Sequence, residues 1–262
     1  MNFLHNFLPQ PILVQWGFIT IRFYGLLIAV AVVACFGVVL YLSRRRGIDR
    51  DDLYDLALWL ILGGIIGARL YDVFLIDWNY FVSNPWQIIQ IWHGGLAVHG
   101  AIIGGVMALL AWCKVKRKSF WQFAGLIFTV LPLGQAIGRW GNYFNSELFG
   151  RPTTLPWGIP ISTVNRPEQY SNFQYFQPAF LYESILNLIL FFVFLFLYKK
   201  YRRPSEIVIY YLMGYSAIRF MMEFIRIDVT SLIFGIRLPQ LVSVAVFVIC
   251  AVILILKKIR KL

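Results

Sequence analysis

Residues 238–256 run Leu-Pro-Gln-Leu-Val-Ser-Val-Ala-Val-Phe-Val-Ile-Cys-Ala-Val-Ile-Leu-Ile-Leu without a single charge. A helix of such residues has no polar face to offer water, and about 20 of them, rising 1.5 Å each, cross the hydrocarbon core of a bilayer. Six more stretches of this kind precede it, at about 18–41, 54–75, 95–113, 119–138, 178–198 and 206–226. The expected fold is therefore an all-α polytopic integral membrane protein with seven transmembrane helices, one transmembrane domain over residues 1–262. Composition agrees: 14% of residues are charged, where a soluble domain has about 25%. Met1–Gly17 lacks a basic leader and a small-residue cleavage site, so no cleavable signal peptide is expected.

The net charge of +12 could suggest nucleic acid, but its placement excludes that reading. Sixteen of the 24 basic residues, every lysine among them, lie in four runs: Arg44–Arg50, Lys114–Lys118, Lys199–Arg203 and Lys257–Lys261. Basic runs between apolar spans mark cytoplasmic loops. With seven spans, all four runs fall inside only if the N-terminus is outside and the C-terminus cytoplasmic. The outer connection 76–93 then carries Trp78, Trp86 and Trp92, suited to an interfacial belt. Residues 139–177, rich in proline and glycine turn signals, are expected to form a small outer-face cap. Cys35, Cys113 and Cys250 are scattered in or beside apolar spans and read as inert buried thiols. No metal or cofactor is expected.

Polar residues inside spans are costly, about 2.5–3.5 kcal/mol for a charge at mid-membrane. Outside the basic runs stand eight arginines: Arg22, Arg69, Arg139, Arg151, Arg166, Arg219, Arg226 and Arg237. Arginine keeps its charge and offers a planar fork that grips phosphate with two bonds. Arg22, Arg166 and Arg237 are read as chance or snorkelling at span ends. Depth separates the others. Tyr24 lies near the outer start of span one, Arg69 and Asp72 near the outer end of span two, and His99 in the first turns of span three. Arg139 closes span four, followed by Asn142, Asn145 and Glu147, while Tyr182 and Glu183 open span five. Arg219 lies 13 residues past Glu206, about 20 Å along a helix, with Glu223 one turn further. Groups from six spans at one level imply one cavity in the outer half of the membrane. Arg219 and Glu223, at i,i+4, form either a structural ion pair or an arginine held for function. His99 reads either as a satisfied helix histidine or as a proton acceptor. The G-x-x-x-G pairs Gly100/Gly104 and Gly134/Gly138 allow close helix packing or close approach to a head group.

A transporter would carry polar residues through the inner half as well, and spans one, three and seven are apolar there; no internal repeat supports one either. No G-x-S-x-G elbow or facing aspartate pair supports an intramembrane protease.

Gly138-Arg139-Trp140-Gly141-Asn142-Tyr143-Phe144-Asn145-Ser146-Glu147 resembles the signature of the bacterial prolipoprotein diacylglyceryl transferase family. Arg22-Phe23-Tyr24-Gly25-Leu26, Gly94-Gly95 with His99-Gly100 and Gly104, Pro178 to Ser184, and Ile218-Arg219-Phe220 with Glu223-Phe224 and Arg226 are similar to its other motifs. Ser146 stands where many members have glycine, and Gln177 where some have histidine, so no catalytic role carries to Gln177.

The resemblance implies transfer of the sn-1,2-diacylglyceryl group of phosphatidylglycerol to the lipobox cysteine in the signal peptide of a prolipoprotein. The partners would be membrane lipid and that peptide, and the place a bacterial cytoplasmic membrane with the site toward the outer leaflet. Arg139 and Arg219 are then expected to bind the phosphate and stabilise its departure, with Glu223 orienting Arg219. Asn142, Asn145 and Glu147 would bind the glycerol head group or position the thiol, and Tyr24 would orient a head-group oxygen. Arg69, Tyr182 and Glu183 are expected substrate contacts, and His99 leads as general base.

Overall fold

The computed structural model describes residues 2–17, 19–200 and 203–259. Phe18, the first residue of expected span one, and Tyr201, Arg202, Arg260 and Lys261 of the basic runs lie outside the described residues, as do Met1 and Leu262. In chain order the helices are α1 (Asn2–Asn6), α2 (Phe23–Ser43), α3 (Arg50–Tyr71), α4 (Trp78–Ser83), α5 (Val98–Lys116), α6 (Phe120–Phe144), α7 (Ala179–Lys200), α8 (Pro204–Met222) and α9 (Leu238–Ile259). Among the described residues three small antiparallel ribbons join them: β1 (Ile12–Trp16) with β2 (Ile19–Arg22), β3 (Ile159–Pro160) with β4 (Tyr175–Phe176), and β5 (Leu232–Ile233) with β6 (Ile236–Arg237).

Six helices among the described residues are long and apolar enough to cross a membrane: Phe23–Arg46, Arg50–Ile76, Val98–Lys116, Phe120–Phe144, Ala179–Lys200 and Leu238–Ile259. The chain is a helical, multi-pass membrane protein. Helix α8, at the expected sixth span, is 19 residues long but carries Glu206, Tyr210, Tyr211, Tyr215 and Arg219, which lower its hydropathy.

Two boundaries moved for physical reasons. Helix α6 continues to Phe144, beyond the expected end at 138, and so makes Arg139 and Asn142 helical. Gly141 serves close packing there, because a Cβ on it would lie 2.6 Å from Cδ2 of Tyr24. Helix α5 starts at Val98, later than expected, because Gly94 and Gly95 take φ of 101° and 72° and hold the preceding chain in a turn.

The chain divides into two compact units, Met1–Val38 with Ile127–Leu262, and Val39–Leu126. In the second, α3 and α5 pack along their length through glycine. A Cβ on Gly104 would collide with the Gly63 carbonyl and lie 2.9 Å from Cα of Gly67, and one on Gly67 would lie 2.7 Å from Cα of Gly104. Gly100/Gly104 is thus a packing seam. The basic ends of these helices are tied by Lys116–Asp55 at 2.7 Å and Lys118–Asp52 at 2.5 Å. The fully buried Trp112 donates its Nε1 to Asp55 Oδ2 at 3.0 Å.

In the first unit α7 packs on α8 and α8 on α9. Residues 145–178 fold over the end of α6. Their core is Phe149, Ile159, Ile161 and Phe176 against Tyr143 and Phe180. Backbone bonds Gly150 N to Gln177 O and Gln177 N to Arg151 O, both 2.9 Å, close the base of this segment. Among the expected snorkelling residues, Arg166 instead braces it, donating to the carbonyls of Ile161 at 2.8 Å and Ser171 at 3.1 Å. The three cysteines are free thiols, Cys113 and Cys250 buried.

The seam sets a test. Gly104→Val forces α3 and α5 apart, an overpacking cost of about 1–3 kcal/mol, whereas Gly105 has nothing within 4 Å of an added Cβ. Thermal unfolding in detergent should show a lowered Tm for Gly104→Val and none for Gly105→Ala. Equal Tm values would contradict the packing account.

Candidate active site

Helix α6 sets Arg139 and Asn142 nearly one turn apart, and Arg139 Nη1 donates to Asn142 Oδ1 at 3.1 Å. Helix α7 starts straight after Pro178, with the Tyr182 amide bonded to the Pro178 carbonyl at 3.2 Å, which places Glu183 in its first turns. Ser184 Oγ donates to the Ala136 carbonyl at 2.8 Å and fixes α7 against α6. Glu183 is 2% exposed, and its Oε1 lies 2.5 Å from Arg139 Nη2. Its Oε2 faces Arg226 Nη1 at 3.7 Å.

Helix α8 brings Arg219 and the residue after its last turn, Glu223, together as the i,i+4 spacing implied: Arg219 Nη2 is 2.5 Å from Glu223 Oε1. The chain then turns. Arg226 grips Asp228 with both arms of its fork, at 2.8 and 3.2 Å. Arg237, at the end of β6, returns to the same place. Its Nε is 2.9 Å from Glu223 Oε2 and donates to Thr230 Oγ1 at 3.0 Å. Its Nη1 donates to the carbonyls of Glu223 at 3.2 Å and Arg226 at 2.6 Å. Its Nη2 donates to the Asp228 carbonyl and sits 3.9 Å from Asp228 Oδ2. Arg237 is therefore no snorkelling residue: its charge is spent inside the protein.

These contacts form one alternating series: Arg139, Glu183, Arg226, Asp228, Arg237, Glu223, Arg219. Four guanidinium groups face three carboxylates, which leaves one positive charge over, and both ends of the series are arginines. The unsatisfied donors lie at those ends. Arg139 Nε and Arg219 Nη1 are buried without a hydrogen-bond partner. Glu223 is held within ion-pair distance of two arginines, yet neither oxygen has a hydrogen bond of proper alignment, so the attraction there is coulombic. A buried donor left unpaired costs about 1–3 kcal/mol, and an anion at either end would supply the missing acceptor. Tyr215 adds a hydroxyl in hydrogen-bonding range of Arg139 and stacks on Tyr211 with ring centres 6.0 Å apart. Burial alone would raise the Asp228 carboxyl, but the bonds from Arg226 and the charges of Arg226 and Arg237 hold it below its ordinary value.

The other expected residues of the first unit make these contacts. The Tyr24 ring lies against Gly141. Asn145 Nδ2 donates to Glu147 Oε1 at 2.5 Å, with Glu147 exposed. The Tyr182 hydroxyl accepts from Trp157 Nε1 at 2.8 Å. In the second unit Arg69 is buried and four of its five donors meet backbone carbonyls. Nε donates to the Ile88 carbonyl at 2.9 Å, Nη1 to those of Gly94 and Gly95 at 2.8 Å each, and Nη2 to that of Gln87. A Cβ on Gly95 would strike Arg69 and Asp72, so glycine is required there. His99 stacks on Tyr71 with ring centres 5.9 Å apart.

Arg226, Asp228, Arg237 and Tyr215 escaped assignment from sequence. A signal existed for one pair, since Arg226 and Asp228 stand two apart in a turn. None existed for Arg237, whose partners lie 14 and 9 residues earlier.

Residues 11–256 match the profile of the prolipoprotein diacylglyceryl transferase family. The chain is similar to a phosphatidylglycerol–prolipoprotein diacylglyceryl transferase of Trichormus variabilis, 48% identical over 242 residues, covering 90% of this chain and 85% of the relative. A protein of the same name from Thermosynechococcus vestitus is 45% identical over 232 residues, covering 87% and 85%. One from Gloeobacter violaceus is 42% identical over 248 residues, covering 93% and 91%. A family match over nearly the whole length, with relatives at this identity along most of theirs, places the chain in the prolipoprotein diacylglyceryl transferase family.

Proposed function

We propose that this chain transfers the sn-1,2-diacylglyceryl group of phosphatidylglycerol to the lipobox cysteine of a prolipoprotein. It does so in a bacterial cytoplasmic membrane, with α8 as the sixth of seven spans, the N-terminus outside, the C-terminus cytoplasmic and the site toward the outer leaflet. Residues 139–177 form the outer-face cap. The observation that carries the reading is the pair of unpaired guanidinium nitrogens at the two ends of a buried, net positive ion series.

The thiol sulfur attacks the glyceryl carbon bonded to phosphate oxygen. A C–S bond forms, the C–O bond breaks, and glycerol phosphate leaves with the electron pair. Arg139 and Arg219 take the growing charge on the phosphate oxygens, a role for preorganised donors that do not reorient during the reaction. Glu183 and Glu223 hold those arginines from behind. Asn142, Asn145 and Glu147 bind the glycerol head group or the thiol, and Tyr24 and Tyr182 bound the same space. A free thiol ionises near pH 8.5, and His99 accepts its proton, its ring plane set by Tyr71. Arg69, an expected substrate contact, gives four of its five donors to the carbonyls of the 85–95 connection and so positions it.

Transfer of labelled diacylglycerol from phosphatidylglycerol vesicles to a lipobox peptide tests the reading; no thioether product would overturn it. Arg139→Ala should lower kcat about 10²–10³-fold, the size expected for a lost transition-state donor, and full activity would remove Arg139 from the role. Asp228 gives a pH prediction. Its folded-state value is depressed, so its stabilisation is complete above about pH 3.9 and disappears as pH falls through the lower, folded-state value. Acid unfolding of Asp228→Asn should lack that limb, and an unchanged acid profile would refute the pairing.

A further inference from the structure

We propose that Arg237 is a positioning residue for transfer: it holds the second carboxylate oxygen of Glu223 away from Arg219, so that Arg219 keeps a free donor for the phosphate. This rests on the reading that Arg219 binds the phosphate of the lipid donor.

Glu223 is the most enclosed carboxylate of the series, its side chain 0% exposed. It is shared: Oε1 lies 2.5 Å from Arg219 and Oε2 2.9 Å from Arg237. A carboxylate and a guanidinium left alone close into a bidentate pair with two parallel bonds. Here that closure is blocked, because the second oxygen already faces another cation. The consequence is visible at Arg219: one terminal nitrogen meets Glu223 while Nη1 stays buried and unpaired. Without Arg237, Glu223 would be a buried carboxylate with one partner, and the cost of a half-paired buried charge would draw the whole fork of Arg219 onto it.

Arg237 is built for that task and not for substrate. Its Nη1 and Nη2 donate to the carbonyls of Glu223, Arg226 and Asp228, which fixes the guanidinium behind Glu223. These bonds also brace the turn, so loss of Arg237 could act through structure alone. The two roles separate by charge. Arg237→Gln keeps amide donors for the carbonyls and removes the cation; Arg237→Lys keeps the cation.

The test is transfer from phosphatidylglycerol to a lipobox peptide in detergent, with kcat and KM measured for wild type, Arg237→Gln, Arg237→Lys, Glu223→Gln and Arg237→Gln/Glu223→Gln. Wild-type transfer establishes the functional reading independently of the variants. The expected result is a kcat loss of about tenfold or more for Arg237→Gln, a coupling of ordinary size for contacting charges, with KM for the peptide unchanged. Arg237→Lys should recover most of it. In the Glu223→Gln background the same Arg237→Gln change should cost little, because no carboxylate remains to capture Arg219. An equal loss in both backgrounds, or a lysine variant as poor as the glutamine one, would show Arg237 to be a brace of the turn and would overturn the proposal.

Discussion

An alternating row of buried and half-buried charges organises the first unit. Each inner member touches two of opposite sign, so each carboxylate is shared and each arginine behind the site is spent. Buried ion pairs seldom add net stability, because desolvation offsets attraction, yet removal of one partner costs about 3–5 kcal/mol. The series is therefore a device for placement. It links residues of α6, α7, α8 and the β5–β6 ribbon, and it ends in two arginines that each keep one buried nitrogen, Nε of Arg139 and Nη1 of Arg219, without a hydrogen-bond partner. On the proposed reading, a phosphodiester, charged and rich in acceptor oxygens, is the group that would occupy those ends.

The second unit reaches rigidity by other means. Its helices α3 and α5 meet backbone to backbone through Gly63, Gly67, Gly100 and Gly104, where apolar side chains would hold them apart. Arg69 then gathers the carbonyls of the 85–95 connection that no helix satisfies. In hydrocarbon surroundings an unpaired carbonyl is expensive, and one arginine here settles four. That use of a buried cation differs from the one in the first unit: four of the five donors of Arg69 go to backbone carbonyls.

Much of this was legible in the sequence, because membrane spans announce themselves by length and apolarity, and the i,i+4 pair Arg219–Glu223 by helical spacing. The Gly138–Glu147 motif was recognisable, but its span was expected to end at 138; the helix runs on to Phe144, with Gly141 making room for the Tyr24 ring. Arg69 looked like a ligand-binding cation since sequence cannot reveal that the carbonyls of Gln87, Ile88, Gly94 and Gly95 converge on it. Arg237 looked incidental for the converse reason. Its partners lie at 223–230, and the chain returns to them through a hairpin in which Phe234 and Gly235 adopt φ of 52° and 76°. Contacts within one helix turn were readable; contacts made by returning chain were not.

The central claim is that Arg139 and Arg219 jointly hold the lipid phosphate. A structure of the protein in nanodiscs with phosphatidylglycerol bound tests it most directly. The account predicts phosphate oxygens within hydrogen-bonding distance, about 2.7–3.2 Å, of both Arg139 and Arg219, with Glu223 still bridging Arg219 and Arg237. A phosphate bound elsewhere, with both arginines closed onto their carboxylates, would contradict it.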